Sequence, residues 1–282
     1  MTYVKPEQVV KNMIQAGVTK SKLSVRDLVI RGALAGALLG FGTTLAFTAE
    51  TQTRMGIAGA LLFPACFVII ILLGLELVTG NFALIPLAVL EKKATWQEML
   101  TNWFWVIVGH VIGGSFYAML YVIAATHLGH VMGHAVAQKI IQVAEAKTLG
   151  YSALGTTGLL IVFVKGILCN WMVALGAVMA MTSQSTFGKI IAMWLPILLF
   201  FAQGFEHAVV NMFVLPAGMM LGANITLSNW WLWNQIPVLL GNLVGGLLFT
   251  GLALYMTHRS KEVKKENEQG VNGKGEQGRM VS

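Results

Sequence analysis

Apolar runs long enough to cross a bilayer recur along the chain at roughly 28–48, 57–77, 103–126, 154–182, 190–221 and 231–257. A helix needs about 20 residues to traverse the hydrocarbon layer. The pattern therefore predicts an all-α integral membrane protein with six transmembrane helices. The fifth run is long and interrupted near Gln203–His207, and the second is followed by a further apolar stretch, Phe82–Leu90, too short to span alone. Helices 2 and 5 are accordingly read as broken. Ahead of the first span, residues 1–27 carry Lys5, Lys11, Lys20, Lys22 and Arg26 and are too polar for the apolar core of a signal peptide. Within them Val9, Val10, Met13, Ile14 and Val18 form a helical stripe. It predicts a short amphipathic helix, lying at the membrane surface or packed on the transmembrane body. Residues 258–282, rich in Glu, Gln, Gly, Asn and Lys, predict a disordered tail.

The polar positions and glycines inside these runs repeat. Asn102, Gly109 and Gly113-Gly114 of span 3 match Asn234, Gly241 and Gly245-Gly246 of span 6 at an offset of 132. Glu76 and Asn81 match Glu206 and Asn211 at 130, and Arg31-Gly32 and Gly42 match Lys165-Gly166 and Gly176 at 134. Two three-helix repeats, about 28–126 and 154–257, follow. Three is odd, so the copies must insert with opposite orientation, and such architectures place a polar site near the midplane where the broken helices meet.

Composition agrees with a lipid solvent: 56% of residues are hydrophobic, 11% are charged, and the mean hydropathy is +0.71. Glycine, at 31 residues, suits close helix packing in a bilayer. The net charge of +7 does not indicate nucleic acid, because the basic residues flank the spans. They concentrate before span 1, at Lys92-Lys93, at Lys189 and after His258, which places both termini in the cytoplasm of a multi-pass cell-membrane protein. Trp230, Trp231 and Trp233 fit an interfacial aromatic belt. Cys66 and Cys169 lie in apolar runs without metal-ligand spacing. His127, His130 and His134 have helical spacing but no Cys or carboxylate ligand close by, so no metal or other cofactor is expected.

The chemistry concentrates at the two breaks. In Gly204–Asn211, an ionisable pair, Glu206 and His207, sits at bilayer depth, where a charge costs about 2.5–3.5 kcal/mol on insertion scales. Glu206 and Asn211 are read as satisfying backbone groups freed by the break. His207 is the functional candidate, because imidazole takes or releases a proton near neutral pH. The partner segment, Leu75–Asn81, offers Glu76, Gly80 and Asn81. Its Thr79 hydroxyl either points at a permeant species or His207, or bonds back within its own helix. Phe63 and Phe67 share a helix face, and Phe200 precedes the second break. An intramembrane enzyme would need a nucleophile or metal beside Glu206 and His207, and the sequence supplies neither. A purely structural protein would not explain ionisable groups at a repeated break.

The segments Lys165-Gly166-Ile167-Leu168-Cys169-Asn170-Trp171-Met172-Val173, Glu76-Leu77-Val78-Thr79-Gly80-Asn81 and Gly204-Phe205-Glu206-His207 through Asn211 resemble the formate/nitrite transporter family over roughly residues 5–260. The resemblance implies an aquaporin-like six-helix protomer with its own pore, assembled as a homopentamer. It implies that His207 and Thr79 are the central substrate and proton-relay pair, with Asn170 and Asn211 as polar neighbours. Leu77 and Phe200 resemble the outer constriction, and Phe63, Phe67, Val78 and Val173 the inner one. Lys147 is the candidate for the family's vestibule lysine, at a longer distance from Asn170 than the family spacing. The implied cargo is formate, moved with a proton on import, the proton coming from His207 or from water. The alternative is nitrite or another small monovalent anion, such as hydrosulfide, acetate or lactate.

Overall fold

The structure, a computed structural model, describes residues 3–131 and 133–259. The expected tail therefore lies, beyond Arg259, outside the described residues. In chain order the helices are α1 (Pro6–Ser21), α2 (Val25–Thr53), α3 (Gly56–Leu72), α4 (Val78–Leu90), α5 (Trp96–Thr126), α6 (Ala135–Ala146), α7 (Leu149–Ser152), α8 (Gly155–Thr182), α9 (Thr186–Ala202), α10 (Ala208–Met220) and α11 (Leu227–Arg259). Four of these, α2, α5, α8 and α11, are long and apolar enough to cross a membrane. The pairs α3/α4 and α9/α10 supply the two broken crossings. In each, a short loop separates an apolar half-helix from a second half-helix buried almost throughout.

Several helices run longer than the apolar runs, because hydropathy is blind to caps. The Ser24 side chain accepts from Asp27 N and starts α2 ahead of residue 28. A capping box between Thr95 and Glu98 starts α5 at Trp96, ahead of residue 103. In α11, π-helical turns at Trp231–Gln235, Gly245–Leu252 and Tyr255–Arg259 interrupt the α-helical pattern. The amphipathic α1 packs on the body: Val9, Val10, Met13 and Ile14 are buried in a cluster with Leu84 and Leu87 of α4. The far end of α11 is tied to the same face. Arg259 and the Tyr255 hydroxyl both donate to Glu91, and the Arg259 bond holds that carboxyl below its ordinary range.

The two repeats are related by inversion down to individual backbone approaches. Both loops turn at a left-handed glycine, Gly74 (φ 63°) and Gly204 (φ 65°), which only glycine adopts freely. Helix pairs α2/α5 and α8/α11 touch through matched glycines. A Cβ on Gly109 would lie 2.6 Å from Val29 O, and one on Gly241 would lie 2.3 Å from Phe163 O. Likewise a Cβ on Gly113 would lie 1.8 Å from Ala33 O, and on Gly245 2.3 Å from Ile167 O. Gly113→Ala therefore forces the helices apart. It is expected to cost about 1–3 kcal/mol, as overpacking does, seen as a lower melting temperature of the detergent-solubilised protein. Gly56→Ala, with nothing within 4 Å of the added carbon, is the control and should leave melting unchanged.

Candidate functional site: a polar centre between two mouths

Breaking a helix frees backbone donors at its restart, and a bilayer supplies nothing to satisfy them. Two side chains from the neighbouring long helices do so. The first N–H of α4, on Val78, donates to His110 Nε2 at 3.1 Å, and His110 Nδ1 donates to Gly32 O at 2.8 Å. In the other half, the first N–H of α10, on Ala208, donates to Asn242 Oδ1 at 2.9 Å, and Asn242 Nδ2 donates to Gly166 O at 2.8 Å and Glu206 O at 3.0 Å. His110 and Asn242 occupy equivalent places in the repeat and do equivalent work.

The buried acids form a second mirrored pair of networks. Glu76 accepts from Lys20 Nζ at 2.7 Å and Asn81 Nδ2 at 2.7 Å; Asn81 also donates to Asn102 Oδ1, and Asn102 to Lys20 O. Glu206 accepts from Lys147 Nζ at 2.6 Å and Asn211 Nδ2 at 2.9 Å; Asn211 donates to Asn234 Oδ1, and Asn234 to Lys147 O. The second copy has additions. Tyr151 Oη donates to Glu206 Oε1 at 2.8 Å, and Asn234 Nδ2 lies 3.4 Å from Glu206 Oε2. Burial, reinforced by that carboxylate, pushes the Tyr151 phenol well above its ordinary value, so it serves as a donor. This network corrects the reading of Glu206 and Asn211 as backbone caps. They bond side chains, while His110 and Asn242 carry the backbone.

Between the networks, His207 ends the second loop. Its Nδ1 accepts from Val210 N at 3.2 Å, which leaves the proton of a neutral ring on Nε2. Nε2 lies 3.3 Å from Thr79 Oγ1, so the two broken helices meet at this pair, and the Thr79 hydroxyl faces the imidazole of the opposite repeat. The Phe200 ring lies on the imidazole, with centroids 5.7 Å apart. Asn170 Nδ2 donates to Thr79 O at 3.0 Å and Asn242 O at 2.6 Å, locking α8 to both halves.

Two cavities approach this centre from opposite faces. The one on the α6 face, about 580 Å³, reaches Phe200, Glu206 and His207 and is rimmed by Lys139, Lys147 and Lys165. Lys139 and Lys147 are paired with Glu50 and Glu206, whereas the Lys165 ammonium lies 5.7 Å from the Tyr151 ring centroid. The cavity on the α1 face, about 680 Å³, is lined by Ile71, Leu72, Ala177, Ala180, Gln184 and Lys189 among others. Thr43 and Glu50 of the first mouth correspond in the repeat to Ala177 and Gln184 of the second, so the mouths are mirrored in place but not in charge. Between them Phe63, Phe67, Leu77, Val78, Thr79, Asn170, Val173, Phe200 and His207 are all at most 2% exposed. These residues are packed away from solvent.

The structure thus brings His207, Thr79, Asn170 and Phe200 together, and it sets Glu206, Asn211 and Lys147 in one network and Glu76 and Asn81 in its mirror image. Phe63 sits against Phe200 and stacks on Phe201 with centroids 4.1 Å apart, so the two implied constrictions adjoin through it. Leu77, Val78, Phe67 and Val173 belong to the same buried cluster. Sequence reasoning missed His110, Asn242, Lys20 and Tyr151. The repeat could have revealed His110, since it stands at the repeat position of Asn242, one residue after Gly109 as Asn242 is after Gly241.

A model of the family described as "Formate/nitrite transporter" matches residues 7–256. The chain is 32% identical to the formate channel BtFdhC of Bacillus thuringiensis, over 93% of this chain and 98% of that one. Among solved structures, it is similar to an FNT family ion channel with a TM-score of 0.76 and 26% identity, over 89% of this chain and 98% of that chain. A pentameric formate channel with formate bound shares the fold at a TM-score of 0.67 and 24% identity, over 83% and 97% of the two chains.

Proposed function

The chain belongs to the formate/nitrite transporter family, and from that premise we propose that it is a formate channel whose permeation step runs past His207 and Thr79. The observation that carries the reading is the contact of these two side chains, one from each broken helix, at the floor of an open mouth and the edge of a dry zone. A formate anion is drawn into the α6-face mouth by its lysines, of which Lys165 has no carboxylate partner among the described residues. An isolated anion would lose its hydration among Phe63, Phe67 and Phe200 at prohibitive cost. The same loss of hydration raises the basicity of a carboxylate, so it takes a proton and crosses as the neutral acid.

The hydrogen bonds favour water over His207 as the proton source. A neutral ring with Nδ1 accepting from Val210 has only its Nε2 proton to give, and giving it would leave an imidazolate. His207 acts instead as a neutral hydrogen-bond donor that holds the carboxylate at the threshold, with Thr79 alongside. Assembly as a homopentamer in the cell membrane with cytoplasmic termini accompanies this reading. It is supported by the pentameric channel that shares the fold and by the basic residues around the termini.

Proteoliposomes containing the protein should take up labelled formate, faster as external pH is lowered from about 7.5 to about 6 because more of the anion is then protonated at the threshold. Nitrite, acetate, lactate and hydrosulfide added singly should compete less well than unlabelled formate. Uptake no greater than in empty liposomes refutes transport, and stronger competition by nitrite moves the assignment to nitrite.

A further inference from the structure

The two restart caps are equivalent in position and bonding but differ in chemistry. His110 is fully buried, with Nδ1 donating to Gly32 O and Nε2 accepting from Val78 N, the pattern of a neutral imidazole with no capacity to spare. Asn242 makes the matching bonds with an amide, which does not titrate. The group His110 holds is the first donor of α4, and the next residue is Thr79, whose hydroxyl meets His207. We propose that His110 is a positioning residue of the pore: it fixes the start of α4, and with it Thr79, and makes the cap on the first N–H of α4 sensitive to acid where its counterpart Asn242 is not.

The sensitivity follows from proton counting. A second ring proton would sit on Nε2 and point at the Val78 N–H, replacing an acceptor by a donor. The bond is lost, the first turn of α4 is released, and Thr79 leaves the place that His207 requires. Asn242 offers no such site, so the Ala208 N–H, the first of α10, stays capped. Ionisable groups on the surrounding elements are few. Glu76, in the loop before α4, is held by Lys20 of α1. Lys22 of α1 pairs with Glu98 at the start of α5. Arg31 of α2 points at Gly74 O, His207 begins the α10 half, Cys66 lies on α3, and Tyr117, on α5 itself, shares a hydrogen bond with Thr44. None of them bonds to the His110 ring, so nothing among the described residues takes the place of the lost acceptor.

The proposal rests on the transport reading, and two readouts keep the two apart. The first is formate uptake into proteoliposomes between about pH 4 and pH 7.5, a range that extends below that of an ordinary imidazole, for the wild type, His110→Asn and His110→Leu. His110→Asn, which copies the Asn242 cap, should transport at a near wild-type rate at the upper pH and outpace the wild type increasingly as pH falls. His110→Leu leaves the Val78 N–H unpaired and should transport about tenfold less at every pH. The second readout is hydrogen exchange of the 77–84 peptide in detergent, which needs no substrate. It should be protected in the wild type and His110→Asn and exchange faster in His110→Leu. A constant ratio of wild type to His110→Asn across pH overturns the acid sensitivity. Unchanged uptake or unchanged exchange in His110→Leu overturns the positioning role. If the wild type carries no formate, the transport reading fails and the exchange data still decide what His110 does.

Discussion

Replacing His207 with phenylalanine is expected to lower formate uptake by about 100-fold, the usual effect of deleting one preorganised donor to a buried anionic oxygen. Phenylalanine conserves the stack with Phe200 and the volume of the ring, so the dry zone stays sealed. What disappears is the Nε2–H beside Thr79 and the Nδ1 acceptor for Val210. His207→Asn separates the two candidate roles. Its amide can cap Val210 with Oδ1 while Nδ2 donates towards Thr79, so a donor role predicts that most of the flux survives. If His207 had to surrender a proton, asparagine would be as damaging as phenylalanine. Uptake of labelled formate by both variants, with the oligomer checked by gel filtration, decides between them. Full uptake by His207→Phe would remove this residue from the mechanism altogether.

The largest effect on stability is expected from Glu206→Leu. The carboxylate accepts from Lys147, Tyr151 and Asn211, with Asn234 at longer range, and the Lys147 side chain is only 18% exposed. Removing one partner of a buried ion pair costs about 3–5 kcal/mol, because the other charge is left without compensation. The detergent-solubilised protein should therefore melt well below the wild type or fail to assemble. Glu76→Leu should be milder: among the described residues Glu76 accepts from two donors, and its Lys20 partner, 23% exposed, is closer to solvent. Adding Lys147→Met to Glu206→Leu should recover part of the loss by removing the stranded ammonium. Equal melting temperatures for Glu206→Leu and Glu76→Leu would show that the extra donors around Glu206 carry no weight.

Much of this was legible in the chain because small residues and amides mark helix crossings in lipid. Gly109, Gly113 and Asn102 announced the second copy at Gly241, Gly245 and Asn234, and the inversion followed from the odd helix count. The breaks were visible as charge inside apolar runs, which led to His207 and Thr79. Hidden features fall into two kinds. His110 and Asn242 do one job with different side chains, so matching residue types passed over the pair. Lys20 and Lys147 lie outside the matched spans, and their partners became apparent only once α1 and the α6–α7 segment folded back against the loops. Helix ends escaped because hydropathy registers lipid and not the hydrogen bonds of Ser24 and Thr95. In sequence Glu206 reads as a partner for backbone groups freed by the break, whereas its lysine arrives from 59 residues away.

The inverted repeat also bears on how the chain is threaded into the bilayer. Copying a half upside down places Lys20 on one face and Lys147 on the other, so whichever face is cytoplasmic, one of the two lysines is exported during synthesis. Basic flanks resist export, and a perfectly doubled chain would carry equal instructions for both directions. This chain breaks the tie with number: residues 1–27 hold five basic residues, Lys5, Lys11, Lys20, Lys22 and Arg26, against Lys139 and Lys147 in the 127–154 connection. The repeat thus leaves the direction of insertion to the parts outside it, and the two lysines of that connection are paired with Glu50 and Glu206.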